Sequence, residues 1–132
     1  MASLKSTSKK KKFDCILLVD DDPIANYLHL RLLNNSKLAK RIDIVTNGAE
    51  ALIYLKEICH PEILFLDINM PVMDGTEFLI NYKRIEPLPK TRIIILSTSE
   101  HTDDLSFITS LGINDYLIKP LREEKVMEIL NI

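Results

Sequence analysis

Residues 15–22, with the sequence CILLVDDD, pass directly from five apolar side chains into three aspartates. A short apolar run of this kind is typical of a strand that is covered on both faces of a parallel sheet. Three later stretches repeat the pattern: residues 63–67 are ILFLD, residues 92–98 are RIIILST and residues 115–120 are DYLIKP. Because the carboxyl ends of parallel strands share one edge of a sheet, these polar residues are expected to meet there. The chain therefore predicts a site built from carboxylates, a hydroxyl and a lysine.

The segments between these runs have the spacing of helices, and a further strand is predicted after the first helix. Strands are expected near residues 15–20, 42–46, 63–67, 92–97 and 114–118, with residues 42–45 at an edge of the sheet. Apolar residues recur at helical intervals as follows: Ile24, Leu28 and Leu32; Ala51, Leu52, Leu55 and Ile58; Phe78, Leu79 and Tyr82; Leu105, Ile108 and Leu111; Val126, Ile129 and Leu130. Those of the last four helices are predicted to face the core. The alternation predicts an α/β fold, a three-layer doubly wound five-stranded parallel sheet with right-handed crossovers.

Polar residues stand where the helices are expected to begin. Asn47 precedes the second helix with Glu50 three residues later, and Asp74 and Thr102 open the third and fourth helices. Side chains of these types accept hydrogen bonds from the free N–H groups of a first turn. Gly112 is expected to end the fourth helix.

The composition suits one folded domain that follows a basic segment. With 132 residues, of which 46% are hydrophobic, the chain is long enough for a single packed core. Residues 1–12 carry five lysines and no acidic residue, and we expect a disordered basic arm there or, alternatively, a weak anchor for phosphate-rich surfaces. Without those five lysines, 12 basic and 19 acidic residues remain, so residues 13–132 carry about −7. An acidic body argues against nucleic-acid binding by the domain.

The cellular location is inferred from two features of the sequence. Neither a signal peptide nor a transmembrane segment is indicated, because the chain has no apolar run of the required length and position. Cys15 and Cys59 lie among apolar residues and lack the spacing of metal ligands. Two buried, reduced thiols in a cytoplasmic protein are therefore expected.

The polar residues at the four strand ends suit a divalent metal and a phosphoryl group. Asp20, Asp21 and Asp67 supply the hard oxygen ligands that Mg²⁺ and Mn²⁺ prefer. Without a cation, clustered carboxylates raise one another's pKa. With a cation, Asp67 stays ionised and is able to attack phosphorus, while Lys119 and Ser97 are placed to contact phosphoryl oxygens.

Each of these groups alone also has a purely structural interpretation. The aspartates at positions 20–22 precede Pro23 and could form a helix cap, and Asp67 could be a turn residue at a strand end. Residues 97–98 could cap a helix, and residues 119–120 could form a solvated loop. Their joint occurrence at four consecutive strand ends favours one common site.

Four stretches of the chain, in this order and spacing, resemble the receiver domain of two-component response regulators. They are residues 19–23 (VDDDP), 66–75 (LDINMPVMDG), 96–99 (LSTS) and 115–120 (DYLIKP). The resemblance covers residues 13–132 and implies a flavodoxin-like (CheY-like) fold with strand order 2-1-3-4-5. It also implies a phosphoprotein that works by phosphorylation of an aspartate in a Mg²⁺-dependent or Mn²⁺-dependent reaction.

The family's chemical roles map onto matching positions of this sequence. The resemblance implies that Asp67 is the phosphoacceptor, Asp21 a direct metal ligand and Asp20 an acidic partner that acts largely through water. It implies that the backbone carbonyl of Asn69 is the third protein ligand. Lys119 would contact the acyl phosphate, and its bond to Pro120 is expected to be cis.

The same resemblance implies a switch and a set of tuning residues. Phosphorylation would draw the Ser97 hydroxyl inward and let Tyr116 rotate into the vacated space, which would reshape the face formed by the fourth helix, fifth strand and fifth helix. Asn69 and Ser99 flank the site, where the family's side chains tune attack by water on the acyl phosphate. The alternative for Tyr116 is an ordinary residue of an amphipathic strand.

The sequence therefore favours a single-domain response regulator that is phosphorylated by a sensor histidine kinase or a histidine phosphotransfer protein. It is expected to self-dephosphorylate slowly and not to be a turnover enzyme. Output would go through a protein target, since only residues 131–132 follow the last predicted helix and no DNA-binding segment is found. Phe107 and Met127 fall outside the inward stripes and could belong to the output face or be incidentally exposed.

Other functions remain open at this stage. A phosphorelay intermediate, which passes the phosphoryl group to a second histidine, would share every site residue, and so would a receiver fragment of a longer regulator. A phosphatase of the haloacid dehalogenase type is disfavoured, because Asp67 is followed two positions later by Asn69 instead of an aspartate. Nucleotide binding is disfavoured because the three glycines, Gly48, Gly75 and Gly112, form no glycine-rich loop.

Overall fold

The computed structural model describes residues 12–70, 74–84, 91–98 and 102–132, and for residues 102–105 it describes the backbone only. The predicted basic arm therefore lies outside the described residues apart from Lys12. Ser99, one of the predicted tuning residues, also lies outside them. The side chain of Leu105, predicted to face inward, is likewise outside the description.

The described residues form one five-stranded sheet in which every pairing is parallel. Its strands, in chain order, are β1 (Phe13–Val19), β2 (Ala39–Val45), β3 (Ile63–Asp67), β4 (Arg92–Ser97) and β5 (Tyr116–Ile118). The spatial order is β2-β1-β3-β4-β5, which confirms the predicted order 2-1-3-4-5 and places β2 at an edge. β2 begins three residues before the predicted start, because Ala39 already pairs with Phe13.

A helix follows each strand. The helices are α1 (Pro23–Asn35), α2 (Gly48–Glu57), α3 (Gly75–Tyr82), α4 (Thr102–Ser110) and α5 (Glu123–Leu130). Asn47 caps α2 as predicted, accepting from the Glu50 N–H at 2.8 Å, while the Glu50 carboxylate accepts from the backbone N–H of Thr46. Asp22 caps α1 and Asp74 caps α3 in the same way.

Two buried clusters, one on each face of the sheet, make up the three layers. One face packs against α2, α3 and α4 through Ala51, Tyr54, Leu55, Phe78, Leu79, Tyr82 and Ile108. The other face packs against α1 and α5 through Leu33, Val126 and Leu130. Alternate residues of β1 enter the two clusters, with Leu17 on one side and Leu18 on the other. This confirms a doubly wound sheet whose central strands are covered on both faces.

In α1 and α2, the residues that are buried differ from those of the apolar stripe in the sequence. In α1, Ile24 and Leu28 are 70% and 47% exposed, and the helix buries Asn26 and His29 instead. The first two turns of α1 lie beside the polar edge of the sheet, where polar side chains find backbone partners. In α2, Ile58 is exposed because the helix ends at Glu57, so Ile58 is wrong as a stripe residue and Tyr54 is buried instead.

The first turn of α3 packs so closely on the end of β3 that only glycine fits at position 75. A Cβ atom there would lie 2.6 Å from Ile68 Cα and 2.9 Å from the Asp67 carbonyl oxygen. Both contacts are with backbone, so relief requires the chain to move. We expect Gly75→Ala to lower the free energy of unfolding by about 1–3 kcal/mol, as measured by urea denaturation. The neighbouring Thr76→Ala is the matched control, and equal stability of the two variants would contradict the prediction.

Candidate functional site

The carboxyl ends of β1 and β3 bring three aspartates together. Val19 pairs with Leu66, so the residues that follow them, Asp20 and Asp67, come side by side at one edge of the sheet. Carboxylate oxygens of Asp20, Asp21 and Asp67 all lie within 4.8 Å of one another. Asp20 and Asp67 are buried, whereas Asp21 is exposed. The predicted meeting of carboxylates is therefore present, with one of them open to solvent.

Lys119 extends into this cluster from the end of β5. Its backbone N–H donates to the carbonyl oxygen of Ser97 at 2.7 Å, which holds the end of β5 against β4. Its Nζ atom lies 2.8 Å from Asp20 Oδ2 and 3.5 Å from Asp67 Oδ2. Burial opposes the charge of Lys119, but hydrogen bonding and attraction to the two carboxylates outweigh it and raise its pKa. The Lys119–Pro120 peptide bond is cis, as expected.

Each buried carboxylate uses one oxygen to hold its own loop. Asp20 Oδ1 accepts from the backbone N–H of Asp22 at 3.0 Å, and Asp67 Oδ1 accepts from that of Asn69 at 3.0 Å. The second oxygen of each, Oδ2, is the one near Lys119. These turns orient both Oδ2 atoms toward the same point, which is what a shared ligand requires.

The pKa of Asp67 is raised to about 6. Burial is the main cause and the negative charge of Asp20 adds to it, while the hydrogen bond from Asn69 and the charge of Lys119 partly offset them. The ionised form of Asp67 is therefore disfavoured when no cation is present. A cation would stabilise it, because the cation neutralises the repulsion from Asp20 and replaces the lost solvation.

The donor set fits a hard divalent cation. Three carboxylates and one ammonium group leave a formal charge of −2 when all are ionised. Asp20 Oδ2 is buried and pairs with Lys119 Nζ at 2.8 Å. Oxygen donors of this type suit Mg²⁺ or Mn²⁺. Asn69, whose carbonyl is expected to be a further ligand, is exposed beside the cluster.

Comparison with known proteins decides the family. The family model described as response regulator receiver domain matches residues 16–131. The chain belongs to this family. Receiver domains are phosphorylated and bind Mg²⁺ at an acidic pocket, and this chain has a cluster of three aspartates at the carboxyl ends of β1 and β3.

Several relatives resemble this receiver domain over most of its length. A probable methanogenesis regulatory protein, FilR2, from Methanothrix harundinacea is 36% identical over 116 residues, which cover 83% of this chain and 74% of that protein. The response regulator Rcp1 from Synechocystis is 30% identical over 110 residues, covering 79% and 75%. The crystal structure of a two component response regulator from Cytophaga hutchinsonii superimposes with a TM-score of 0.83 at 30% identity, covering 92% of this chain and 96% of that one.

Some relatives are much longer than this receiver domain. A protein-glutamate methylesterase/protein-glutamine glutaminase from Methanospirillum hungatei is 29% identical over 114 residues, which are 86% of this chain but 33% of that protein. The chain thus spans about a third of that relative's length. No helix among the described residues is long and apolar enough to cross a membrane.

The predicted switch residues occupy different environments in the receiver fold. Ser97 ends β4 and is completely buried, next to the strand end that carries Lys119. Tyr116 begins β5 and is 40% exposed. Both positions are compatible with the expected roles, which remain predictions.

Two residues of α1 that were not predicted from the sequence contact the backbone of this site. Asn26 Nδ2 donates to the Asp20 carbonyl oxygen at 2.8 Å. His29 Nε2 accepts from the backbone N–H of Leu121 at 3.3 Å. Both side chains are at least nine-tenths buried. One signal for them was present in the sequence. Residues 26 and 29 are three positions apart, so their polar side chains lie on the same face of the helix.

The two cysteines lie away from the acidic cluster and are reduced. Cys15 is buried with Sγ 3.2 Å from the Tyr54 hydroxyl, which donates to Asp43 Oδ2 at 2.6 Å. Burial raises the pKa of the Cys15 thiol to about 11, so it stays protonated. Cys59 is half-buried, which differs from the prediction that both thiols are buried.

Proposed function

We propose that Asp67 accepts a phosphoryl group from a phosphohistidine in a Mg²⁺-dependent reaction, and that the phosphorylated chain acts as a response regulator. The observation that carries the proposal is the convergence of Asp20, Asp21, Asp67 and Lys119 on one point at the sheet edge. Membership of the receiver family supports it. The proposed receiver domain comprises residues 13–132, with residues 1–12 as a disordered arm, in a cytoplasmic protein.

In the proposed reaction, an Asp67 carboxylate oxygen attacks the phosphorus atom. A bond forms between that oxygen and phosphorus, and the phosphorus–nitrogen bond of the phosphohistidine breaks with its electron pair going to nitrogen. The imidazole, already protonated on its other ring nitrogen, leaves as the neutral ring. Asp20, Asp21, Asp67 and the Asn69 carbonyl would hold Mg²⁺, which would supply neutralisation of the charge on the phosphoryl oxygens. Lys119 exchanges its contact with Asp67 for one with a phosphoryl oxygen.

The Ser97 hydroxyl is proposed to donate to another phosphoryl oxygen and to report phosphorylation to Tyr116. Release of the phosphoryl group by attack of water on the acyl phosphate is proposed to depend on Asn69 and Ser99. The chain is proposed to be a switch and not a turnover enzyme. The position of Ser97 supports this, because it is buried at the end of β4 and its carbonyl oxygen accepts from the backbone N–H of Lys119.

Output is proposed through the face formed by α4, β5 and α5. Tyr116, Ile118 and Phe107 are each about 40% exposed there, at 40%, 42% and 40%. A groove of about 750 Å³ runs along β5 and α5, with Lys125 and Glu128 among its lining residues. By contrast, Met127 packs against the core and is a weaker candidate for this face. Apolar side chains with a charged border are typical of a protein-binding surface.

The phosphoryl donor is proposed to dock on the exposed apolar side chains of α1. Ile24 and Leu28 line a cavity of about 270 Å³ that also contacts Lys119 and Pro120. Tyr27, on the same helix, is 62% exposed. This surface adjoins Lys119, whose Nζ atom lies 3.5 Å from Asp67 Oδ2, so a sensor histidine kinase or histidine phosphotransfer protein docked here would bring its phosphohistidine close to the acceptor carboxylate.

We expect Leu28→Glu to slow transfer from a phosphorylated histidine kinase by about tenfold or more, since a charge would be buried at the contact. Labelling by acetyl phosphate should be unchanged, because that donor needs no helix contact. Ile53→Glu, an exposed apolar position on α2, is the matched control. Equal transfer to the Leu28 variant and to the wild-type protein would contradict docking on α1.

The proposed function is tested with acetyl phosphate and intact-mass measurement. The wild-type protein should gain one phosphoryl group with Mg²⁺ and none with a chelator. Hydroxylamine should remove the group, because it cleaves acyl phosphates but leaves serine and threonine phosphates intact. If neither acetyl phosphate nor a panel of phosphorylated histidine kinases adds the group, the proposal fails.

A further inference from the structure

The distance between Asp20 and Lys119 is not set by pairing of their strands. Asp20 follows β1 and Lys119 follows β5, and β3 and β4 lie between these strands in the sheet. Nevertheless, Lys119 Nζ lies 2.8 Å from Asp20 Oδ2. The two strand ends are linked by the ladder through β3 and β4 and by this side-chain contact, and a further contact outside the sheet that touches both ends would fix their separation more closely.

Helix α1 contacts the backbone at both strand ends. Asn26 Nδ2 donates to the carbonyl oxygen of Asp20 itself, at 2.8 Å. One turn later, His29 Nε2 accepts from the N–H of Leu121, two residues after Lys119, at 3.3 Å. Since α1 and α5 pack on the same face of the sheet, the helix spans the gap between β1 and β5.

Stability alone does not account for these two polar side chains. Asn26 Oδ1 and His29 Nδ1 are buried and have no hydrogen-bond partner among the described residues. A buried polar atom without a partner lowers stability, so apolar residues of similar size would suit a purely structural helix face better. Burial also lowers the pKa of His29 and outweighs the negative charges of Asp20 and Asp22, which act to raise it. A neutral ring is able to accept the hydrogen bond from Leu121.

We propose that Asn26 and His29 form a clamp that positions Asp20 and Lys119 for phosphoryl transfer. They are positioning residues: Asn26 acts through the backbone of Asp20 and therefore on metal binding, and His29 acts through the Leu121 backbone and therefore on Lys119. The inference rests on the proposed function for its kinetic readout, but its two structural readouts are independent of phosphorylation.

The two halves of the clamp are separable by substitution. His29→Leu removes the acceptor at similar volume, whereas His29→Gln keeps an acceptor near the position of Nε2. In His29→Asn the side chain is too short to reach Leu121, so the hydrogen bond is lost while the side chain stays polar. This variant serves if His29→Leu fails to fold. Asn26→Leu removes the donor to Asp20. Leu33→Val, a buried apolar position of the same helix, controls for general loosening of α1.

Three measurements are made on the full chain. Hydrogen exchange of the Leu121 amide reports the His29 bond, titration calorimetry with Mg²⁺ reports the metal site, and acetyl phosphate labelling at saturating Mg²⁺ reports the reaction. Substitutions in supporting shells typically cost about 10–100-fold in metal affinity or activity. We expect losses near the lower end for the variants that remove one of the two hydrogen bonds.

For His29→Leu and His29→Asn, we expect exchange at Leu121 about tenfold faster and labelling about tenfold slower, with Mg²⁺ affinity within twofold of wild type. His29→Gln should restore both. For Asn26→Leu, we expect Mg²⁺ affinity about tenfold weaker with unchanged exchange at Leu121. Leu33→Val should change none of the three.

The clamp is overturned if the His29 and Asn26 variants match Leu33→Val in all three measurements, or if His29→Gln fails to restore what His29→Leu loses. Failure of the proposed function gives a different result. The wild-type protein itself would then not be labelled, while exchange at Leu121 and Mg²⁺ affinity would still decide for or against the clamp.

Discussion

The Asp67→Asn variant is expected to gain no phosphoryl group from acetyl phosphate and, without Mg²⁺, to unfold at higher urea concentration than the wild-type protein. The amide lacks the nucleophilic carboxylate, so labelling should fall to background. The amide oxygen of the variant side chain would keep the hydrogen bond that Asp67 Oδ1 accepts from the Asn69 N–H, so the local turn should survive. The two effects have opposite directions, which separates loss of function from loss of fold.

The gain in stability follows from the raised pKa of Asp67. Burial moves this pKa from 3.8 to about 6, so between those values the folded state holds a proton that the unfolded state has released. The folded state is therefore penalised progressively as pH rises through this window, and the full penalty is present at pH 7.5. Two pKa units correspond to roughly 3 kcal/mol, and after allowance for relaxation we expect Asp67→Asn to add about 1–2 kcal/mol at pH 7.5.

Urea denaturation at pH 4 and pH 7.5, with Mg²⁺ and with a chelator, checks this. The variant's advantage should be largest at pH 7.5 without metal and small at pH 4, where wild-type Asp67 is already protonated. Mg²⁺ should stabilise the wild-type protein more than the variant. Asp22→Asn is the matched control, because Asp22 is exposed and asparagine caps α1 equally well. If the Asp67→Asn protein were less stable than the wild-type protein without Mg²⁺, the interpretation that burial and repulsion disfavour the ionised form of Asp67 would be contradicted.

The position of the site could be predicted because it depends on strand ends alone. Once residues 15–22 and 63–67 are read as neighbouring parallel strands, Asp20 and Asp67 must meet, whatever the surrounding helices do. Lys119 follows from the same rule applied to β5. The strand order itself came from resemblance, since hydrophobic periodicity carries no information about which strands are neighbours.

The face of α1 could not be predicted because periodicity assigns burial by hydropathy. This rule holds where a helix packs on apolar side chains, as Phe78 and Leu79 do in α3. The first turns of α1 instead pack beside strand ends whose backbone groups need partners, so Asn26 and His29 are buried and Ile24 is exposed. The same exposed apolar residues are available to a partner, so the departure from the pattern carries functional information.

Substitution of Lys119 by glutamine is expected to slow phosphorylation strongly while increasing Mg²⁺ affinity. The ammonium group is 2.8 Å from Asp20 Oδ2 and 3.5 Å from Asp67 Oδ2 in a side chain that is 11% exposed. Loss of one charge-stabilising donor typically slows a transfer reaction about 10²–10³-fold, and we expect a loss of this order from acetyl phosphate. Without metal, the variant should also be less stable by about 3 kcal/mol or more, because two buried carboxylates lose their counter-ion.

The increase in Mg²⁺ affinity identifies the role of Lys119. With lysine, the ionised cluster has a formal charge of −2, and with glutamine it has −3, so a divalent cation is attracted more strongly. Lys125→Gln, which removes an exposed lysine on α5, should change neither affinity nor rate. General damage to the site would weaken Mg²⁺ binding together with the rate, and that result would contradict a direct role for the ammonium group. Tighter Mg²⁺ binding together with slower labelling would show two roles of the lysine charge. It competes with the metal in the unphosphorylated site, and it stabilises the phosphoryl oxygens during transfer.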